Sequence, residues 1–307
     1  EEVIEQQPDQ SLLTERYVQE AVDFIRADSP KPFFLYLAHM YVHLPIYVKQ
    51  EFLDKSENGS YGAAVESIDW ATAVIMNELQ SLGLDENTIV IFTSDNGSLG
   101  NMLPPFGGRQ ELIGGSNLPL RGAKGTTWEG GQRVPAIVRW KGKVEAGRVC
   151  DELLTAMDFY PTLANVCGAQ IPQDRIIDGI DAQKVWFDAQ AKSLHEHFVY
   201  YRANGLEAIR NRQYKLHFGR GKEDVFELYD IVGDVSETTN VYDQFPEEVA
   251  SLTAAANHYR HTLGDDRTGS TGTEVRPIGR VENPQPLAHF DPSHPYVIAE
   301  YDLPDRG

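Results

Sequence analysis

The sequence is poor in cysteine, in basic residues and in long apolar runs, and each shortage closes off a class of function. Two cysteines in 307 residues cannot build a disulfide framework, and Cys150 and Cys167 lack the spacing of a zinc site. They are expected to be free thiols rather than a single bridge. No run of about eighteen uninterrupted apolar residues occurs, so no membrane-spanning helix is expected. Lys and Arg total 27 against 46 Asp and Glu, a formal net charge of -19. Such a surface repels polyanions and argues against nucleic acid and anionic membrane as general partners. The chain opens on Glu1-Glu2-Val3, with neither Met nor a signal-like apolar stretch. The expectation is a start that was processed or that lies upstream.

What the sequence does contain is 41% apolar residues, enough at this length for a sizeable core. Residues 12 to 27 place Leu12, Val18, Ala21, Val22 and Ile25 on one helical stripe, and 61 to 82 repeat the pattern with Val65, Ile68, Ile75, Leu79 and Leu82. Between them, after Ser29-Pro30-Lys31-Pro32, the continuous apolar run Phe33-Phe34-Leu35-Tyr36-Leu37-Ala38 reads as a strand buried on both faces. Thr88-Ile89-Val90-Ile91-Phe92-Thr93 reads as another. Strand, helix and strand in that order predict a parallel crossover, and hence a doubly wound α/β sheet with helices on both faces. A Gly-rich loop over 98 to 120 includes Pro104-Pro105-Phe106-Gly107-Gly108 and Gly114-Gly115-Ser116. A further strand is expected at 136 to 140 and a capped helix start at Asp158-Phe159-Tyr160-Pro161.

Past about residue 180, short aromatic segments at 196 to 201, 206 to 210, 213 to 218 and 225 to 229 are separated by turn residues. This pattern predicts a small antiparallel sheet, covered by a helix near 246 to 263. The expected organisation is therefore an α/β domain over 1–178, an antiparallel sheet and helix over 179–263, and a polar extended tail over 264–307.

In open α/β sheets, ligands gather beyond the C-terminal ends of strands. Three candidates lie at such places. Asp95 and Asn96 offer a carboxylate and an amide oxygen suited to a hard divalent cation, although Asp-Asn-Gly also favours a plain turn. Lys124, among Gly122, Ala123 and Gly125, could meet an anion as a compact charge, or could simply be solvated. His43, ahead of Leu44-Pro45, could donate or accept a proton near neutral pH, or be structural. Taken singly, none decides between its two readings.

Together, in order and with their flanks, they resemble the sulfatases of the alkaline phosphatase superfamily. The matching stretches are Phe33 to Ala38 with His43 and Pro45, Tyr61 to Asp69, Phe92-Thr93-Ser94-Asp95-Asn96-Gly97, and Arg121-Gly122-Ala123-Lys124-Gly125-Thr126-Thr127-Trp128-Glu129-Gly130-Gly131-Gln132-Arg133-Val134-Pro135. Asp158 to Thr162 and Glu227 to Asp230 complete them. The likeness runs from about residue 12 to 263 and is strongest toward the arylsulfatase A and N-acetylgalactosamine-6-sulfatase branch.

The resemblance implies a calcium-dependent sulfuric ester hydrolase. In it Asp95 and Asn96 would ligate calcium, Lys124 would bind the sulfate, and His43 would contact it, one or both helping the leaving oxygen depart. Asp69, Arg133 and Asp158 also match recurrent positions and are read as a helix-face carboxylate, an ion pair under the loop and a helix cap. The family's Cys/Ser-x-Pro/Ala-x-Arg motif, source of its formylglycine nucleophile, is absent: Cys150 precedes Asp151-Glu152-Leu153 and Cys167 precedes Gly168-Ala169-Gln170, and no serine fits. The expectation is the C-terminal portion of a longer enzyme, inactive alone, whose partners are a sulfate ester, a missing N-terminal segment or another copy of itself. A phosphoester or phosphonate hydrolase of the same superfamily, or an inactive relative that binds sulfated glycans or a partner chain, are the alternatives. The resemblance alone suggests an exported or lysosomal protein. Asn58-Gly59-Ser60 and Asn96-Gly97-Ser98 match the glycosylation pattern, the second being expected to stay unmodified if Asn96 holds metal.

Overall fold

The computed structural model describes residues 3–27, 31–100, 115–289, 291 and 293. These fall into two compact units. One holds the residues up to Thr88, Gly115 and those from Ile278 onward; the other holds the segment that starts at Ile89 and Ser116–Pro277.

In the first unit, α1 (Leu13–Arg26), the short α2 (Gln50–Leu53) and α3 (Gly59–Ser81) are the regular elements. Helix α1 buries Val18, Ala21, Val22 and Ile25, the stripe its sequence spacing predicts. Helix α3 buries only part of the expected stripe: Leu79 turns inward with Ala63, Ala64, Ser67 and Ala71, Ile68 and Ile75 are half-buried, and Val65 and Leu82 are exposed. The reason is close packing, since Ala71 meets Val18 and Val22 of α1 and small residues let two helices approach. Ala63 and Ala64 pack with Tyr41 and Val48.

The apolar run 33–38 is not a strand. It lies outside every sheet, with Phe34 and Tyr36 exposed. An apolar run signals burial, but a strand also needs a neighbour to complete its ladder, and among the described residues none pairs with it.

The second unit opens with β1 (Val90–Thr93), followed by α4 (Glu129–Gln132), β2 (Ala136–Arg139), α5 (Phe159–Val166) and α6 (Gln183–Phe187). Strand β1 pairs antiparallel with β2, in the register Val90 to Arg139 and Thr93 to Ala136. The expected parallel crossover from 33–38 is therefore not formed as a ladder among the described residues. The loop residues Pro104 to Gly108 and Gly114 lie outside the described residues. Both cysteines are free and exposed.

Strands β3 (Phe198–Arg202), β4 (Gly205–Arg210), β5 (Tyr214–Arg220) and β6 (Glu223–Asp230) form the expected antiparallel sheet in sequential order, with α7 (Pro246–Leu263) against it. Pairing places Val199, Ile209, Leu216 and Leu228 in one cross-strand row. That apolar face packs on Leu252 and Ala256 of α7. The adjacent rows, Phe198-Arg210-Lys215-Tyr229 and Tyr200-Ala208-His217-Glu227, lie on the opposite face because side chains alternate along a strand. This second face is largely polar, yet Lys215 and His217 are fully buried. After α7 the chain turns back on itself through an Asp265–Ser270 bridge, and buried Asp265 accepts from the Leu206 and Arg267 backbone N–H groups through its carboxylate.

Candidate functional site

Asp95 and Asn96 follow directly on β1, at the strand end the sequence implies, with Asp95 exposed and Asn96 half-buried. The Ser94 hydroxyl donates to the Asn96 carbonyl at 2.9 Å and shapes the turn. The turn is then laced to the Lys124 loop. Gly97 N–H donates to Gly131 O at 3.1 Å, and Lys124 N–H donates to Ser98 O at 2.9 Å. Asn117 clamps the same peptide: its Oδ1 accepts from Ser98 N–H at 2.9 Å, and its Nδ2 donates to Ser98 O at 3.0 Å and Gly122 O at 3.1 Å. Two motifs some thirty residues apart in sequence are thus held together by backbone hydrogen bonds.

The approach is so close that only glycine fits. A Cβ on Gly97 would stand 1.8 Å from Gly130 O. Within the Lys124 loop, the Thr126 hydroxyl donates to Ala123 O at 2.7 Å, and Gly130 N–H reaches Arg121 O at 2.7 Å. Lys124 itself is half-buried, and among the described residues its ammonium pairs with no carboxylate. A half-buried cation with no carboxylate partner among the described residues is suited to an anionic ligand.

Beneath this loop lies a buried charge cluster that the sequence reading missed. The Glu129 carboxylate accepts from Tyr200 Oη at 2.6 Å, Lys215 Nζ at 3.0 Å and Arg210 Nη1 at 3.1 Å. Glu237, also buried, faces Lys215 Nζ at 3.1 Å and His217 Nε2 at 3.2 Å, and accepts from the Glu129 backbone N–H at 2.8 Å. Arg121 donates to the Glu237 carbonyl at 2.7 Å, and Thr127 Oγ1 to Glu207 Oε2 at 2.8 Å. Burial by itself would raise the Glu129 pKa, but Lys215 and Arg210 outweigh it, and the carboxyl is held below the ordinary range. Burial and the nearby Glu129 carboxylate push the Tyr200 phenol well up. Burial lowers His217, with Glu237 pulling the other way. The signal available in sequence was the alternation of Lys215 and His217 with Leu216, which reads equally as a solvated strand face.

His43 belongs to the other unit. It is exposed, and its Nδ1 lies 2.6 Å from Leu44 O. A carbonyl only accepts, so Nδ1 carries the proton and Nε2 is left open to a ligand. Asp69 sits exposed on α3, as its helix-face reading implies. Asp158 closes a capping box with Thr155, accepting from the Thr155 N–H at 2.7 Å, and also receives His195 Nε2 at 2.9 Å. Arg133 departs from expectation: it is exposed and makes no ion pair among the described residues.

As for a metal, Asp95 and Asn96 supply the hard oxygen donors that calcium takes, but a calcium shell needs about six to eight. Among the described residues no three His, Cys, Asp or Glu side chains gather so as to hold one. The donor type fits; the donor number falls short.

Residues 2–169 match the sulfatase family model, and residues 123–260 match that of the N-sulphoglucosamine sulphohydrolase C-terminal region. Among curated relatives, steryl-sulfatase of Rattus norvegicus is 42% identical over 207 residues, 67% of this chain and 35% of that protein. N-acetylgalactosamine-6-sulfatase of the same species is likewise 42% identical over 207 residues, 67% of this chain and 38% of that one. The chain thus spans little more than a third of the length of these relatives. Among solved structures, a protein of glycosaminoglycan metabolism in Bacteroides thetaiotaomicron is 30% identical, with a TM-score of 0.71 over 81% of this chain and 55% of that one. A sulfatase from Pseudoalteromonas sp. is 26% identical, with a TM-score of 0.73 over 85% of this chain and 54% of that one. The fold class is accordingly the alkaline-phosphatase-like α/β fold of these proteins, with the small antiparallel sheet appended. Among the described residues no helix is long and apolar enough to cross a membrane.

Proposed function

The chain belongs to the sulfatase family, and we propose that it carries the sulfate-recognising part of a sulfuric ester hydrolase site. The observation that supports this reading is the Lys124 ammonium, which pairs with no carboxylate among the described residues, on a loop whose backbone is bonded to the Asp95-Asn96-Gly97-Ser98 turn. Lys124 would pair with the non-bridging sulfate oxygens, where charge gathers as the ester bond to sulfur breaks. His43, as the imidazolium with Nδ1–H held on Leu44 O, would give its Nε2 proton to the departing alcohol oxygen and become neutral. Its matched motif supports that role. Calcium, if bound, would add a Lewis acid against the same oxygens, held in part by Asp95 and Asn96. The nucleophile has no candidate in this chain, because neither Cys150 nor Cys167 sits in the formylglycine motif. A separate polypeptide segment carrying that motif would complete the enzyme. The sulfatase family model and the curated relatives favour the sulfate ester over a phosphoester.

Two measurements test the reading. Purified chain with an activated aryl sulfate and calcium is expected to show no turnover; turnover that Lys124→Ala abolishes would refute the missing nucleophile. Inorganic sulfate should bind the chain near neutral pH and be lost in Lys124→Ala, and equal binding by the two would remove Lys124 from the site.

A further inference from the structure

We infer that Lys215 is a positioning residue for Lys124, acting through the two carboxylates it bridges. The inference rests on the sulfate-binding role proposed for Lys124 and adds the device that holds that residue in place. Lys215 and Glu237 are 0% exposed and Glu129 is 1% exposed, so none is neutralised by water. The Lys215 ammonium stands 3.0 Å from Glu129 and 3.1 Å from Glu237. Both carboxylates are fastened to the Lys124 loop. Glu129 begins α4 within it, and Glu237 accepts from the Glu129 backbone N–H through its side chain and from Arg121 through its carbonyl. The loop is therefore gripped on both sides of Lys124, at Arg121 and at Glu129. Its tip is fixed by the Lys124 N–H on Ser98 O.

Arg210 and Tyr200 also reach Glu129, but of the three only Lys215 touches both acids. Without it, two buried carboxylates face each other with one fewer cation between them, and the cheapest relief is to move the loop outward into water. The ammonium also lies 3.9 Å from the centre of the Tyr200 ring, which fixes its position on the sheet. The sheet's other face stays packed on α7 through Leu216 and Leu228, independent of the charges.

The test compares Lys215→Met, Lys215→Arg and Lys124→Ala with the parent chain, by amide hydrogen exchange and by titration with inorganic sulfate. In Lys215→Met the amides of Lys124, Gly130 and Gly131 should exchange about tenfold or more faster, while the ladder amides of Leu216 and Leu228 keep their rates. Sulfate affinity should fall by about tenfold, and Lys215→Arg should recover part of both effects. Unchanged loop exchange in Lys215→Met overturns the inference. So does equal acceleration of loop and ladder, which would make Lys215 a support of the sheet alone; Glu237→Gln, which leaves Lys215 in place, would then be expected to give the same uniform pattern. Lys124→Ala separates the two ideas. If it binds sulfate like the parent while Lys215→Met still loosens the loop, the recognition role of Lys124 fails and the positioning role of Lys215 stands.

Discussion

Replacing Gly97 by alanine adds one methyl group at the tightest point between the Asp95-Asn96 turn and the Lys124 loop. The new Cβ would lie 1.8 Å from Gly130 O, 2.8 Å from Gly130 C and 3.2 Å from Gly131 Cα, all backbone atoms that no rotamer can move aside. Carbon and oxygen come into contact at about 3.3 Å, so the two segments must separate by roughly 1.5 Å. That movement breaks the Gly97 N–H to Gly131 O hydrogen bond, 3.1 Å long. Overpacking of about 1–3 kcal/mol plus a lost hydrogen bond of about 1 kcal/mol gives an expected loss of roughly 2–4 kcal/mol. Urea denaturation of Gly97→Ala should register it, and sulfate binding should weaken as Lys124 shifts. Gly125→Ala is the control, because its Cβ would meet nothing within 4 Å and only its positive φ of 83° is penalised. A Gly97→Ala chain within about 0.5 kcal/mol of the parent would refute the claim that contact distance governs this position.

Three further outcomes are expected. Burial pushes the Asp158 carboxyl up, but His195 and the Ile180 and Thr155 N–H groups outweigh it and hold the carboxyl below the ordinary range. Its stabilisation is therefore present above about pH 4 and lost as pH falls through the depressed value. Asp158→Asn should cost about 2 kcal/mol at neutral pH and progressively less in acid, and a difference independent of pH would contradict this. Leu252→Ala, removing a fully buried side chain between α7 and the apolar sheet face, should cost roughly 3 kcal/mol by chemical denaturation. Calcium should bind this chain no more tightly than about millimolar, since affinity follows the number and charge of ligands. Micromolar affinity by calorimetry, lost in Asp95→Ala, would mean that further ligands are present.

The elements most legible in the sequence are those whose stabilising contacts are local or sequential. Helices α1 and α3 follow from apolar spacing, and β3 to β6 follow from short aromatic segments with turns between them, because each strand's partner is the next one along. Phe33 to Ala38 misled for the opposite reason: apolar character says what a segment avoids, and only a partner decides whether it becomes a strand. Asp95, Asn96 and Lys124 were legible as motifs, and the structure brings the turn and the loop together. Glu129, Lys215 and Glu237 were not legible as a set. Eighty-six residues separate Glu129 from Lys215, and a lysine between Tyr214 and Leu216 carries no local mark of where its charge is neutralised.

The polar sheet face has a consequence in time. As a chain emerges from the ribosome, Lys124 is made 91 residues ahead of Lys215, the difference of their positions. At synthesis rates of about 5–20 residues per second, the loop waits roughly 5–18 s for the strand that neutralises Glu129. Until then Glu129 lacks the cation that also meets Glu237, and the Lys124 loop is held by its bonds to Ser98 and Asn117. The Lys124 loop thus gains its last anchorage late, in one step with the antiparallel sheet, and a truncation before β5 would leave Glu129 without Lys215 while α1 and α3 were already able to pack.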